Sequence, residues 1–183
     1  PLPLEDPPVG AAPRRFGGPD GGLKAPDVVG ALKIDQAWGS AQLMAAAHPD
    51  YSLVRNNDKW SYAVGTGVTV KLPMIAAGDA LTVQAAWSKG AVSYVTPDPF
   101  FTQDYFITGP RSMFQTEAWS VAAGFTHNWN DKWSSALTAS YLDLDHVGRF
   151  WDYNQCDIGA NLVWAPVSGL TIGAELEYKG VDL

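Results

Sequence analysis

The amino-acid sequence predicts an all-β fold, an antiparallel transmembrane β-barrel represented by about eight strands. Three observations lead to it. Short stretches alternate apolar and polar side chains, the period-2 mark of a strand with unlike faces. The connections between them run alternately short and long, as in up-and-down membrane barrels. Trp and Tyr gather near the ends of the stretches, where a ring can sit at a membrane boundary with its N–H or O–H in water.

Composition agrees with a wall between oil and water. The 183 residues suffice for one domain, and aromatics reach 12% with 8 Trp. Hydrophobic residues make up 46%, yet mean hydropathy is only -0.08, so the apolar residues are dispersed among polar ones. No run reaches the ~18 apolar residues of a membrane helix, which leaves membrane strands untouched. A net charge of -7 without a basic stripe argues against nucleic acid as a partner. Cys156 is the single cysteine and cannot form an intrachain disulfide. No signal peptide is visible, and the opening PLPLEDPPVG reads as the middle of a loop, so an internal piece of a longer protein is expected.

Residues 1–27, rich in Pro and Gly, read as an exposed loop; residues 28–181 read as strands and loops of a single partial barrel domain covering 1–183. The first hairpin spans 28–37 and 41–48 around a Trp-Gly-Ser turn. In it Leu32 and Ile34 oppose Lys33 and Asp35, and Leu43, Ala45 and Ala47 oppose Gln42, Met44 and His48. Residues 49–59 form a longer polar connection. The third stretch, 60–71, sets Tyr62, Val64, Val68 and Val70 against Ser61, Gly65, Thr69 and Lys71. After a turn at 73–79, the fourth, 80–88, sets Leu81, Val83, Ala85 and Trp87 against Thr82, Gln84 and Ala86. Residues 89–117 are the longest irregular stretch, and loops of that length tend to be functional.

The fifth stretch, 118–129, alternates Trp119, Val121, Ala123 and Phe125 with Ser120, Ala122, Gly124 and Thr126. Asn130-Asp131-Lys132 makes a tight turn into the sixth, 133–142, where Leu137, Ala139 and Tyr141 oppose Ser134, Thr138 and Ser140. A polar connection at 143–154 leads to the seventh, 155–165, with Ile158, Ala160, Leu162 and Trp164 against Asp157, Gly159 and Asn161. After a turn at 166–169, the eighth, 170–179, sets Leu170, Ile172, Ala174, Leu176 and Tyr178 against Thr171, Gly173, Glu175, Glu177 and Lys179. The three longer connections are expected on one side of the membrane, the cell exterior, and the short turns on the other.

Two sets of side chains follow. The polar face carries Lys33, Asp35, Thr69, Lys71, Gln84, Asp157, Asn161, Glu175, Glu177 and Lys179, which in a barrel line an aqueous lumen. An ordinary solvated sheet face is the bland alternative. The strand ends carry Trp38, Trp60, Tyr62, Trp87, Trp119, Trp129, Trp133, Tyr141, Trp164 and Tyr178, an expected aromatic girdle; the alternative is the core of a sandwich. Signals for chemistry are thin. Asp143, Asp145 and His146 stand together as DLDH but without a metal-site spacing, and read as polar loop residues. His48 and His127 are isolated in sequence, and no nucleophile elbow, P-loop or dinucleotide motif is present. No catalysis, metal or cofactor is expected.

The segments ALKIDQAWGSAQLMAAAH, YAVGTGVTVKLPMIAAGDALTVQAAW and FTHNWNDKWSSALTASYLDLD resemble the C-terminal half of the alphaproteobacterial general porins, the trimeric outer-membrane porins of brucellae and rhizobia. The similarity runs from about Pro26 to about Lys179. It implies a 16-stranded barrel in the outer membrane of a Gram-negative cell, assembled as a homotrimer in lipid. Small hydrophilic solutes and ions would pass through its water-filled channel by passive diffusion. It also implies that the constriction loop lies in an N-terminal half that this sequence lacks. Seven strands before these eight and one after them would complete the sixteen, although family members finish on a terminal aromatic and this sequence stops at Val181-Asp182-Leu183. A curved open sheet is then expected, with the strands near Val28 and Lys179 as edges. Two rivals remain: a closed eight-stranded barrel acting as adhesin or structural protein, in which those edges pair, and a soluble glycan-binding β-sandwich.

Overall fold

The computed structural model describes residues 26–50, 59–96, 104–109, 112–146 and 152–182. The first hairpin is β1 (Val28–Gln36) and β2 (Gly39–Asp50), turning at Ala37 and Trp38. β3 (Lys59–Lys71) and β4 (Ala80–Lys89) follow. Beyond β4 come a 3-10 turn at Val92–Tyr94 and a small hairpin of β5 (Tyr105–Gly109) and β6 (Ser112–Gln115). The wall resumes with β7 (Glu117–Asn130), β8 (Trp133–Asp145), β9 (Tyr153–Val167) and β10 (Leu170–Asp182).

The wall is one antiparallel sheet in the order β1-β2-β3-β4-β7-β8-β9-β10, and β5 with β6 forms a separate two-stranded sheet. β1 and β10 stand at opposite ends and no ladder joins them. The sheet is therefore open, which removes the closed eight-stranded barrel. Among the described residues no second large sheet faces it, which removes the sandwich. The expected loop at 1–27 lies outside the described residues, apart from Pro26 and Asp27.

Two expectations need correction. The stretch 89–117 is not wholly irregular, since it holds the 3-10 turn and the β5–β6 hairpin. The sixth strand runs on to Asp145, so Asp143 and Asp145 belong to a strand, not a loop. Partners explain both: Asp143 faces Trp119 and Asn154 in register, and Phe106 of β5 faces Phe114 of β6.

The short turns have local causes. Gly39 holds φ +149°, and a Cβ there would lie 1.8 Å from the Thr69 carbonyl oxygen, so only glycine lets β2 start so close to β3. Asn130 Oδ1 accepts from the amides of Lys132 at 2.9 Å and Trp133 at 3.1 Å, an Asx turn that reverses β7 into β8. The turn at 73–79 is closed by Asp79, which is 2% exposed. Its Oδ2 accepts from His127 Nδ1 at 2.6 Å and its Oδ1 from the Asn128 amide at 2.8 Å. Burial acts to raise the Asp79 pKa, but the bonds from Asn128 and His127 and the charge on His127 outweigh it and hold the carboxyl below its usual 3.8.

A carboxyl with a depressed native pKa stabilises the fold above its unfolded value and loses that contribution as pH falls through the native one. The wild type should therefore lose stability as acid is taken below 3.8, and Asp79→Asn should lack that part of the acid limb. Urea midpoints measured across this range in detergent or vesicles check it; identical acid limbs in the two proteins would remove Asp79 from the account.

Candidate functional site

Antiparallel register puts directly opposed residues on the same face, so faces can be followed across the whole wall. One row on the polar face reads Lys33–Gln42–Gly67–Gln84–Ala122–Ser140–Asp157–Lys179. The next, toward the short turns, reads Asp35–Ser40–Thr69–Thr82–Gly124–Thr138–Gly159–Glu177. The third reads Lys71–Ala80–Thr126–Ala136–Asn161–Glu175. Every polar-face residue singled out from the sequence falls in these three consecutive rows. Several are tied down. Lys33 Nζ and Asp35 Oδ2 pair at 3.3 Å, and the Thr69 and Thr82 hydroxyls meet at 3.0 Å. Asp157 Oδ2 accepts from Ser140 Oγ at 3.2 Å and Gln155 Nε2 at 2.5 Å, while Asn161 Oδ1 accepts from the Ala136 amide at 2.9 Å.

The opposite face is aliphatic and open. Leu32, Ile34, Leu43, Val68, Val83, Leu137, Leu162, Ile172 and Leu176 are all exposed there, Leu176 at 81%. In water such a continuous surface would cost about 25 cal/mol per Å². Aromatics bound it at two levels. Trp60, Tyr62, Trp87 and Trp119 lie toward the end where the long connections emerge; Trp38, Trp129, Trp133 and Trp164 lie at the turn end. Tyr141 and Tyr178 do not join the first level: register puts Tyr141 in the row of Leu43 and Val121, and Tyr178 in the row of Val68, Val83 and Ile158. Trp133 stacks on Trp164 with ring centres 5.6 Å apart, Trp119 lies 5.2 Å from Tyr141, and Trp129 Nε1 donates to Ser135 Oγ at 3.0 Å.

Above the three polar rows the same face changes character. The next row carries Leu142 opposite Ser120, and the one after it reads Ala46–Ala63–Ser88–Ala118–Leu144–Tyr153. Residues 90–96 lie over these rows as a strap. Val92, at 0% exposure, packs with Ala118, Leu142, Leu144 and Tyr153; Ala91 and Tyr94 pack with Ala46 and Ala63. Burying Val92 and Leu144 stabilises the strap by roughly 1.5–3 kcal/mol each. The chain enters it at Gly90, which holds φ +75°; a Cβ there would lie 2.0 Å from Ser61 Oγ, so no side chain fits. The strap is held at several points. The Gly90 amide donates to the Thr116 carbonyl at 2.8 Å and the Val92 amide to Asp104 Oδ1 at 2.8 Å. Ser120 Oγ donates to the Val95 carbonyl at 3.3 Å and Tyr94 Oη to Asp27 Oδ2 at 3.0 Å. Burial, the bond to Asp27 and the charges of Asp27 and Asp104 push the Tyr94 phenol up to about 12.

Sequence reasoning did not find the strap or the Asp79–His127 pair. The strap had a signal: Leu142 and Leu144 place large apolar groups on the otherwise polar face. The pair joins residues too far apart in sequence for any spacing to show. The DLDH cluster separates, since Asp143 and Asp145 share the apolar-face rows with Trp119 and Glu117. His146 is buried, and its ring meets Phe106 edge-on at 5.2 Å. Among the described residues no three His, Cys, Asp or Glu side chains are grouped to hold a metal. The side chain of His48 lies outside the described set.

Known proteins agree with this wall. The fold is similar to the outer membrane channel DcaP of Acinetobacter baumannii, with a TM-score of 0.70 at 17% identity. The alignment covers 85% of this chain and 45% of that one, so the chain spans less than half the length of the channel it resembles. No curated protein gives a significant match. A family model described as the porin subfamily matches residues 18–183, and with the whole wall inside that match the chain belongs to the porin subfamily.

Proposed function

We propose that the whole protein containing this wall is an outer-membrane porin, a β-barrel whose water-filled channel passes small hydrophilic solutes and ions by passive diffusion. One observation carries the reading: a single sheet has three consecutive polar rows on one face and an exposed aliphatic band between aromatic levels on the other. From Trp119 to Trp129 along β7 a strand rises ~33 Å, which at a tilt of ~40° spans the ~25 Å apolar band of such barrels. Lys33, Asp35, Thr69, Lys71, Gln84, Asp157, Asn161, Glu175, Glu177 and Lys179 then line the pore and tune selectivity. The aromatics at the two bounding levels form its girdles, with the long connections at the cell exterior. Gly67, Ala122, Gly124 and Gly159 in the polar rows support a lumen over an interior filled by large side chains.

The segments quoted above support placement in the C-terminal half of the alphaproteobacterial general porins, with closure to sixteen strands and assembly as a homotrimer in outer-membrane lipid. The protein needs no cofactor and performs no chemistry. Full-length protein reconstituted in vesicles should admit sugars at rates that fall steeply with size, and in planar bilayers it should give stepwise ion conductance. Vesicles that stay tight to both sugars and ions overturn the channel reading.

A further inference from the structure

We propose that the strap, residues 90–96, sets a narrowing of this pore at the level of the first polar row, distinct from the loop that the family resemblance assigns to the N-terminal half. This rests on the channel reading above. Three observations carry it. First, the strap covers the polar face and not the apolar one: all its packing partners, Ala46, Ala63, Ala118, Leu142, Leu144 and Tyr153, belong to polar-face rows. Second, it is fastened across the wall. Ser120 of β7 holds one side, and the Tyr94–Asp27 bond reaches the start of β1 on the other. A segment anchored to both sides of a wall stands in the lumen and does not swing out as an exterior loop.

Third, the strap roofs a cavity of about 490 Å³ against the wall. Val95 and Thr96 form one side, and Gln84, Gln155, Asp157 and Lys179 the other. A solute entering from the long-connection end meets apolar packing wherever the strap touches the wall. Beside Thr96 it meets two amides, a carboxylate and an ammonium. Steric width and these groups then act at the same level, which is where selection in a channel is strongest.

The test uses full-length protein in a Cys156→Ser background, in planar bilayers. Gln84→Cys lies on the wall opposite the strap; Lys71→Cys lies two rows away at the turn end. Reaction of each with a bulky cationic methanethiosulfonate should cut single-channel conductance at Gln84 by about twofold or more and at Lys71 far less. Val92→Asp puts a charge where nothing is exposed and should release the strap. In that background the parent conductance rises, larger sugars enter, and the Gln84 label loses most of its effect. Barrel integrity is read from heat-modifiable mobility on gels. A label that acts equally at both positions overturns the strap as a narrowing, as does a folded Val92→Asp channel with unchanged conductance and sugar cut-off. A parent that conducts nothing fails the channel reading instead.

Discussion

Arginine placed at Val68, Leu137 or Leu162 should lower the stability of the full-length barrel by about 2–4 kcal/mol, and arginine at Glu175 or Glu177 should lower it little. All five sit at mid-strand in one sheet, so strand propensity and position are nearly matched; only the face differs. Val68, Leu137 and Leu162 are 38%, 55% and 45% exposed, and Val68 and Leu137 have apolar neighbours in register, such as Val83 beside Val68 and Phe125 beside Leu137. In hydrocarbon a guanidinium there must snorkel or drag water inward. Glu175 and Glu177 share rows with Asn161 and Gly159, on the face proposed above to line a water-filled lumen. Asn161 is a poorer control than the sequence alone suggests, because losing its bond to the Ala136 amide costs about 0.5–1.5 kcal/mol by itself. Urea unfolding of variants folded into vesicles measures the difference. Equal losses on both faces would reverse the facing assignment, and with it the pore-lining set.

The facing pattern was legible in the sequence because a strand's period of two is local: Tyr62, Val64, Val68 and Val70 declare a face without any knowledge of their neighbours. Register then had only to align strands whose turns were themselves written locally, in Asn130-Asp131-Lys132 or Trp38-Gly39-Ser40. What folds back onto the wall was not legible in that way. The residues of the strap have no period, and their packing partners come from β2, β3, β7, β8 and β9. Their one trace is inverted alternation at the end of β8, where Leu142 and Leu144 point to the polar face and Asp143 and Asp145 away from it. Read as a loop boundary, that inversion hides the strap; read as a strand passing under a cover, it locates it. The Asp79–His127 bond escaped for the related reason that a histidine isolated in sequence finds its carboxylate across 48 positions of chain.

The 183-residue chain placed alone in lipid should not persist as a monomer. β1 has 9 residues and β10 has 13, and each has a partner on one side only. Half the backbone groups of an edge strand point outward, so the two edges leave roughly twenty N–H and C=O groups unpaired, each costing several kcal/mol in hydrocarbon. That total exceeds the ~5–15 kcal/mol by which a folded domain outweighs its unfolded chain. The outward edges must therefore be met by other strands. β1 runs from the long-connection end toward the turns and β10 runs back, so the two edges have opposite direction. A second copy could thus pair antiparallel at both edges, as could the seven and one further strands of a single longer chain. Expressed alone and refolded into vesicles, the chain should give aggregates or edge-paired dimers by cross-linking and sedimentation. Supplied with the missing strands, it should give a heat-modifiable barrel containing one copy. A monomeric, protease-resistant sheet from these 183 residues alone would show that the edges are satisfied some other way, and the sixteen-strand closure would have to be abandoned.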